Sequence, residues 1–209
     1  MAANEDPRVT RTRELIERSF YDLLLEKKLD ALTIGDIAKR ARINRATFYA
    51  HFEDKYALYR HMVRTTFEQI LYENLPQQSE EPGAELRALV RSACLFFEQL
   101  NAACPPPDRQ TRPLVEVQIQ TQLNEYVLLW TRRNLSGDPA FGTFPELAAK
   151  MISWAIFGAG LDWDGDGLSA EILSERIYTV IEGMLGQARI ATSSGKSESQ
   201  PTAAFPTQA

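Results

Sequence analysis

The sequence predicts an all-α chain, a three-helix N-terminal unit joined to a larger helical body. Three observations predict it. Apolar residues recur at spacings of three and four through seven or eight separate stretches, the period of a helix with one buried face. Clusters of Pro, Gly, Ser and Asp divide those stretches: Pro76, Pro105–Pro107, Ser136-Gly137-Asp138-Pro139 and Asp164 to Gly167. No run alternates apolar and polar residues convincingly enough for a strand.

Taken in order, residues 1–9 read as a loose arm. Thr10 to about Lys27 forms a first helix with Leu15, Ile16, Phe20, Leu23 and Leu24 inward. Thr33 caps a second helix whose apolar positions are Ile34, Ile37, Ala38 and Ala41. Arg42 and Ile43 make a turn, and Asn44 caps a third, short helix in which Phe48 and Phe52 plug into the second. A fourth helix starts near Glu53 and runs to about Leu75, where Pro76 stops it. Body helices follow over about 83–103, 110–135, 144–162 and 168–190. The remainder, ATSSGKSESQPTAAFPTQA from Ala191, is poor in large apolar residues and reads as a disordered tail. The expected division is therefore arm 1–9, reader 10–52, body 53–190 and tail 191–209.

The segment LTIGDIAKRARINRATFYAHFEDK, Leu32 to Lys55, has the layout of a helix-turn-helix, whose second helix reads the major groove of DNA. Arg45, Ala46 and Tyr49 fall on one arc of that helix, at 100° per residue. Arg45 can pair bidentately with a guanine edge. Thr47 and Tyr49 offer hydroxyls to phosphate, and Lys55 offers a point charge. Ala46 lets backbone and neighbours approach closely. A structural helical hairpin with a Phe-Tyr-x-x-Phe core stripe would explain the apolar positions, but not the polar ones.

The pieces LTIGDIAKRA and TFYAHFEDKYAL resemble the TetR family of bacterial repressors from about Thr10 to Leu58. Thr33, Ile37, Ala38, Thr47, Phe48, Tyr49, His51, Phe52, Lys55 and Leu58 match the family pattern, whereas Arg42 stands where the family usually has Gly. The resemblance implies a DNA-facing set of Thr33, Asn44, Arg45, Ala46, Thr47, Tyr49, His51 and Lys55. It also implies a C-terminal domain that binds a small effector and dimerises through its last two long helices, with repression as the default outcome.

The body's own residues fit those roles. Gln118, Gln122, Tyr126 and Trp130 recur every four residues along one helix, mixing hydrogen-bonding and aromatic groups as a pocket wall does. Tyr59, Met62 and Phe96, with Phe67, Phe97 and Trp154, can complete it; each by itself reads first as a core residue. Expected at a two-fold interface are Trp154, Gly158, Ile177, Ile181, Met184 and Leu185, with Ala155, Ala159 and Gly160 as further small residues for close approach.

Charge agrees with a small reader on a larger acidic body. The 209 residues carry a formal charge of −5. Residues 1–60 hold 12 Lys and Arg against 10 Asp and Glu, and the rest hold 11 against 18. No apolar run reaches the roughly 18–20 residues that span a membrane, and MAANEDPRVT lacks a signal-peptide layout. A cytoplasmic protein is expected. In that compartment Cys94 and Cys104 should be free thiols, Cys94 in the core and Cys104 more exposed. Asp162-x-Asp164-x-Asp166-Gly167 opens like a calcium loop, but Leu173 occupies the place of the bidentate Glu. His51 and His61 are too few for a metal cluster, and no motif of nucleotide binding or hydrolysis is present. No metal, cofactor or enzymatic activity is expected. Two readings remain: a dimeric, effector-responsive DNA-binding regulator, or a helical dimer acting through its body with a reader that no longer engages DNA.

Overall fold

The computed structural model describes residues 6–76, 83–102, 112–138, 141, 144–161, 163 and 167–194, the last eight of these without side chains. Within them the chain is all-helical. The helices are α1 (Pro7–Glu26), α2 (Ile34–Ala41), α3 (Arg45–His51), α4 (Lys55–Asn74), α5 (Ala84–Ala102), α6 (Arg112–Asn134), α7 (Pro145–Leu161) and α8 (Ala170–Ser194), with one 3₁₀ turn at Leu29–Ala31. Cys104, the Pro105–Pro107 run, Asp162, Asp164, Asp166 and the tail from Gly195 lie outside the described residues. No described helix is long and apolar enough to cross a membrane.

Helix α1 begins at Pro7, three residues before the expected start. Asp6 accepts the Arg8 N–H at 2.9 Å, and Pro7 needs no donor partner in the first turn. Ile16, Phe20 and Leu23 are buried, and Leu24 packs beside them. Leu15, expected inward, is 45% exposed, because a step of about 100° from Ile16 carries it off the buried stripe. Helix α8 continues to Ser194, four residues into the stretch expected as tail.

Two cores result. Ile16, Phe20, Leu23, Leu29, Leu32, Ile37, Phe48, Phe52 and Leu58 form the N-terminal one. The other gathers residues of α4 to α8 around α5, which touches α4, α6, α7 and α8. Gly160 of α7 allows that approach, since a Cβ there would collide with the Phe97 ring of α5. Surface ion pairs join neighbours, Arg132 to Glu146 at 2.7 Å and Arg133 to Glu85 at 2.9 Å, and contribute little individually.

Helix α4 belongs to both cores. Leu58 lies in the first, Val63, Phe67, Ile70 and Leu71 lie in the second, and Tyr59 packs against each. His61 ties α4 back to α1 through Glu17 at 3.0 Å, and its ring lies 5.4 Å from that of Phe52.

Candidate DNA-binding interface

The helix pair is built by local chemistry. Thr33 and Asp36 close a reciprocal capping box at the start of α2: the Asp36 N–H reaches the Thr33 hydroxyl at 3.1 Å, and the Thr33 N–H reaches the Asp36 carboxylate at 3.0 Å. Lys27 also binds that carboxylate, at 2.9 Å, tying the end of α1 to α2. The hydrogen bond from Lys27, followed by those from Thr33, holds the Asp36 carboxyl far below the usual carboxylate range. Arg40 reaches both oxygens of Glu26, at 2.7 and 2.8 Å, and makes a second clamp between α2 and α1.

The turn ends α2 through two bonds, Ile43 N–H to the Ala38 carbonyl at 3.0 Å and Arg42 N–H to the Lys39 carbonyl at 3.3 Å. That pattern requires a left-handed residue, and Arg42 takes it, with φ 55° and ψ 41°. Asn44 then caps α3, accepting the Thr47 N–H at 2.7 Å and the Thr47 hydroxyl at 2.9 Å.

The expected DNA-facing residues divide by what the fold leaves available. Phe48 is wholly buried and Phe52 nearly so, which fixes the roll of α3. Asn44, Arg45, Ala46 and Tyr49 are then exposed, and Thr33 is exposed at the start of α2. Thr47 and His51 are half-buried. Tyr49 is 55% exposed and stands edge-on to Phe48, with centroids 5.8 Å apart, so its hydroxyl end projects from a braced ring.

Lys55 is engaged within the chain. Expected to meet phosphate, it instead donates to three main-chain carbonyls, those of Leu29 at 2.9 Å, Asp30 at 3.0 Å and Leu32 at 2.9 Å. An ammonium has three donors, and all three are engaged. The reason is positional: Lys55 opens α4 beside the 3₁₀ turn, within reach of the carbonyls of that turn and of Leu32 after it.

Two residues outside the expected set also shape this surface. Arg42 is exposed between α2 and α3. Gly35 lies under the Arg45 guanidinium, where a Cβ would stand 2.8 Å from Nη2. A lone Gly inside a strongly amphipathic helix was the available sign of close approach.

In the body, the structure brings part of the expected pocket set together. Phe96 and Tyr126 both flank Phe67, with centroid distances of 5.9 and 6.3 Å. Burial and the nearby Glu68 carboxylate push the Tyr126 phenol above its ordinary value. Gln122 is 1% exposed; its amide N–H donates to the Arg64 carbonyl of α4 at 3.2 Å, while its buried Oε1 has no partner. Trp130 is buried, Gln118 is half-buried, and Tyr59 sits between the two cores. Met62 packs against the N-terminal core instead.

Three expected interface residues pack largely within the chain itself. Ile177, Ile181 and Leu185 are 8%, 3% and 8% exposed within one chain, because that face of α8 packs into the chain's own body. Trp154 and Met184 remain exposed, and Gly158 opens onto free space. Trp154 continues a stripe of large apolar residues, Phe144, Leu147 and Met151, each more than half exposed. Phe144, Leu147 and Met151 line, with Ile181, Met184 and Leu185, an apolar groove of about 320 Å³ between α7 and α8.

Comparisons with known proteins agree with this geometry. The family profile described as "Bacterial regulatory proteins, tetR family" matches residues 21–62. Two proteins of Bacillus subtilis, described as the uncharacterized HTH-type transcriptional regulators YxbF and YdeS, are similar to this chain: 42% identical over 67 residues and 44% over 52. Those matches cover 32% and 25% of this chain, and only 18% and 26% of the two relatives' own lengths. The crystal structure of a TetR-family regulator from Streptomyces coelicolor superposes with a TM-score of 0.56, covering 88% of this chain and 99% of that one at 16% identity, a likeness of fold.

Proposed function

We propose that this chain is a member of the tetR family of bacterial regulatory proteins, whose profile its residues 21–62 match, and that it acts as a dimeric repressor that a small effector releases from a two-fold symmetric operator. The match of the reader segment to that profile and to the two HTH-type regulators supports a DNA-binding role. The carrying observation for the rest is the exposed stripe Phe144, Leu147, Met151 and Trp154 beside Met184. Contiguous apolar surface of this kind marks an interaction site. Its spacing of three and four along α7 suits a four-helix contact with the same surface on a second copy. Two copies supply two readers, and the reader faces of Arg45, Thr47 and Tyr49 are retained. A duplex DNA partner fits a cytoplasmic protein.

Effector release rests on the core between α4 and α6. The unpartnered Oε1 of Gln122 leaves a buried acceptor unsatisfied, at a cost of about 1–3 kcal/mol. A small molecule with a donor group and an apolar body, set against Phe67, Phe96 and Tyr126, would remove that cost. It would also bear on α4, which carries Leu58 of the reader core. An effector that lowers operator affinity 100-fold must bind the DNA-free form 100-fold more tightly, about 2.7 kcal/mol of coupling.

The test is selection of binding sites from random duplex by the purified full chain. The expected product is a palindromic or near-palindromic site whose half-sites lie about 34–36 Å apart, centre to centre. A Met151→Lys, Trp154→Asp variant should bind such a site with one reader at a time. Selection that enriches no two-fold site would count against the proposal.

A further inference from the structure

We propose that Gly35 is a positioning residue for Arg45, and that its missing side chain helps set the base preference of the reader. The inference rests on Arg45 being the base-reading residue of α3. Arg45 is exposed at the first position of α3, and no ion pair or hydrogen bond to another described residue holds its guanidinium. A free arginine of this kind spreads over many rotamers. Here its planar end instead lies across α2 at Gly35. A Cβ at position 35 would stand 2.8 Å from Nη2 and 3.5 Å from Cζ. The seat is made by shape: backbone without a side chain offers the guanidinium a flat place to rest.

The magnitude decides whether this matters. Ordinary contact between a Cβ and its neighbours lies at 3.4–4 Å. A methyl group at position 35 would therefore move the guanidinium tip by about 1 Å, against a tolerance of about 0.5 Å for a productive binding constellation. The displaced atoms are the far end of a flexible side chain, so the move costs the fold little. The other close neighbour of that Cβ, Thr33 Oγ1, stands at 3.5 Å, an ordinary contact. Alanine is also the better helix former. Gly35→Ala should therefore redirect Arg45 without unfolding anything.

The experiment repeats site selection from random duplex with the wild-type chain, Gly35→Ala, Gly35→Ser, Arg45→Ala and the double variant Gly35→Ala, Arg45→Ala. Circular dichroism melts are recorded for each. The expected result has three parts. Arg45→Ala loses preference at one base position of each half-site by about tenfold or more. Gly35→Ala and Gly35→Ser weaken or change preference at that same position while melting no lower than wild type. In the double variant Gly35→Ala adds nothing to Arg45→Ala, a non-additivity that a purely structural role would not produce. Two outcomes overturn the proposal while leaving Arg45 as the reader: Gly35→Ala and Gly35→Ser selecting the wild-type site, or their effects falling on positions that Arg45→Ala does not touch. An Arg45→Ala variant that selects the wild-type site refutes the underlying reading, and the proposal with it.

Discussion

Lys55→Met separates two roles for one cation. The sequence places Lys55 in a DNA-binding motif, where a lysine naturally reads as a phosphate contact. The structure places its ammonium on the carbonyls of Leu29, Asp30 and Leu32, at 2.9, 3.0 and 2.9 Å. Methionine keeps most of the stem and removes the charge and all three donors. Hydrogen bonds to a charged group contribute about 1.5–3 kcal/mol each when well shielded. Two of these three are part-buried and the third is exposed, so about 1 kcal/mol apiece, or about 3 kcal/mol in all, is the expected loss. In a chain of this length each kcal/mol moves the melting midpoint by about 2–4 °C, giving a fall of roughly 6–12 °C. Arginine should not rescue it, because a planar guanidinium cannot point three donors at convergent carbonyls as a tetrahedral ammonium does.

The assays are thermal unfolding by circular dichroism and operator binding across a salt series. A phosphate contact would reveal itself in the second, since removing one lowers the slope of log K against log salt by about 0.9. The structure predicts instead an unchanged slope, measured below the variant's melting range, and a large loss of stability. A Lys55→Met chain that melts like wild type and shows the flattened slope would refute the assignment.

Arg42→Gly should stabilise the chain: relief of left-handed strain contributes about 1–2 kcal/mol, offset by about 0.5–1 kcal/mol of added backbone freedom, while Arg42→Ala keeps the Cβ and should give no such gain in a denaturant melt. The lowered Asp36 carboxyl stabilises the fold at and above the ordinary carboxylate range, and that contribution disappears as pH falls below about 4. Melts from pH 6 to pH 2 should therefore show a steeper acid loss for wild type than for Asp36→Asn. The Cys94 thiol is pushed up to about 12, chiefly by burial and then by Glu98, and stays neutral near pH 8. In a Cys104→Ser background, a thiol-specific reagent at that pH should label the chain only after denaturant unfolds it; fast labelling of the native protein would show the site to be open.

The fold was largely legible because each device that sets it is local. Caps at Thr33 and Asn44, breakers at Pro76 and around Ser136 to Asp138, and helical apolar spacing all act within a few residues. What escaped was whatever depends on the partner of a face. Lys55 looked like any basic residue of a reader until the 3₁₀ turn was placed above it. Gly35 is a lone glycine in an amphipathic helix, and only the fold shows Arg45 lying across it. In α8 the spacing marks two apolar faces, and spacing alone cannot say which one meets the chain's own core.

Adjacent residues on α8 turn that last ambiguity into a measurement. Ile181 is 3% exposed and joins the body core; Val180, one step of about 100° away, is 62% exposed. Ile181→Ala removes packed methyl groups and should cost the fold about 2–5 kcal/mol. Val180→Lys should leave the isolated chain's stability within about 0.5 kcal/mol, as an exposed substitution does. Under the dimer proposal, however, it sets a charge on the surface that two copies share, and desolvating that charge is costly without a partner. Sedimentation should then show Val180→Lys as a folded monomer at concentrations where wild type is paired. Ile181→Ala should still pair wherever it is folded. Wild type should melt at a higher temperature as its concentration rises, and Val180→Lys should lose that dependence. If Val180→Lys sediments as wild type does, α8 is not part of the contact, and the pairing surface must be confined to the α7 stripe or abandoned.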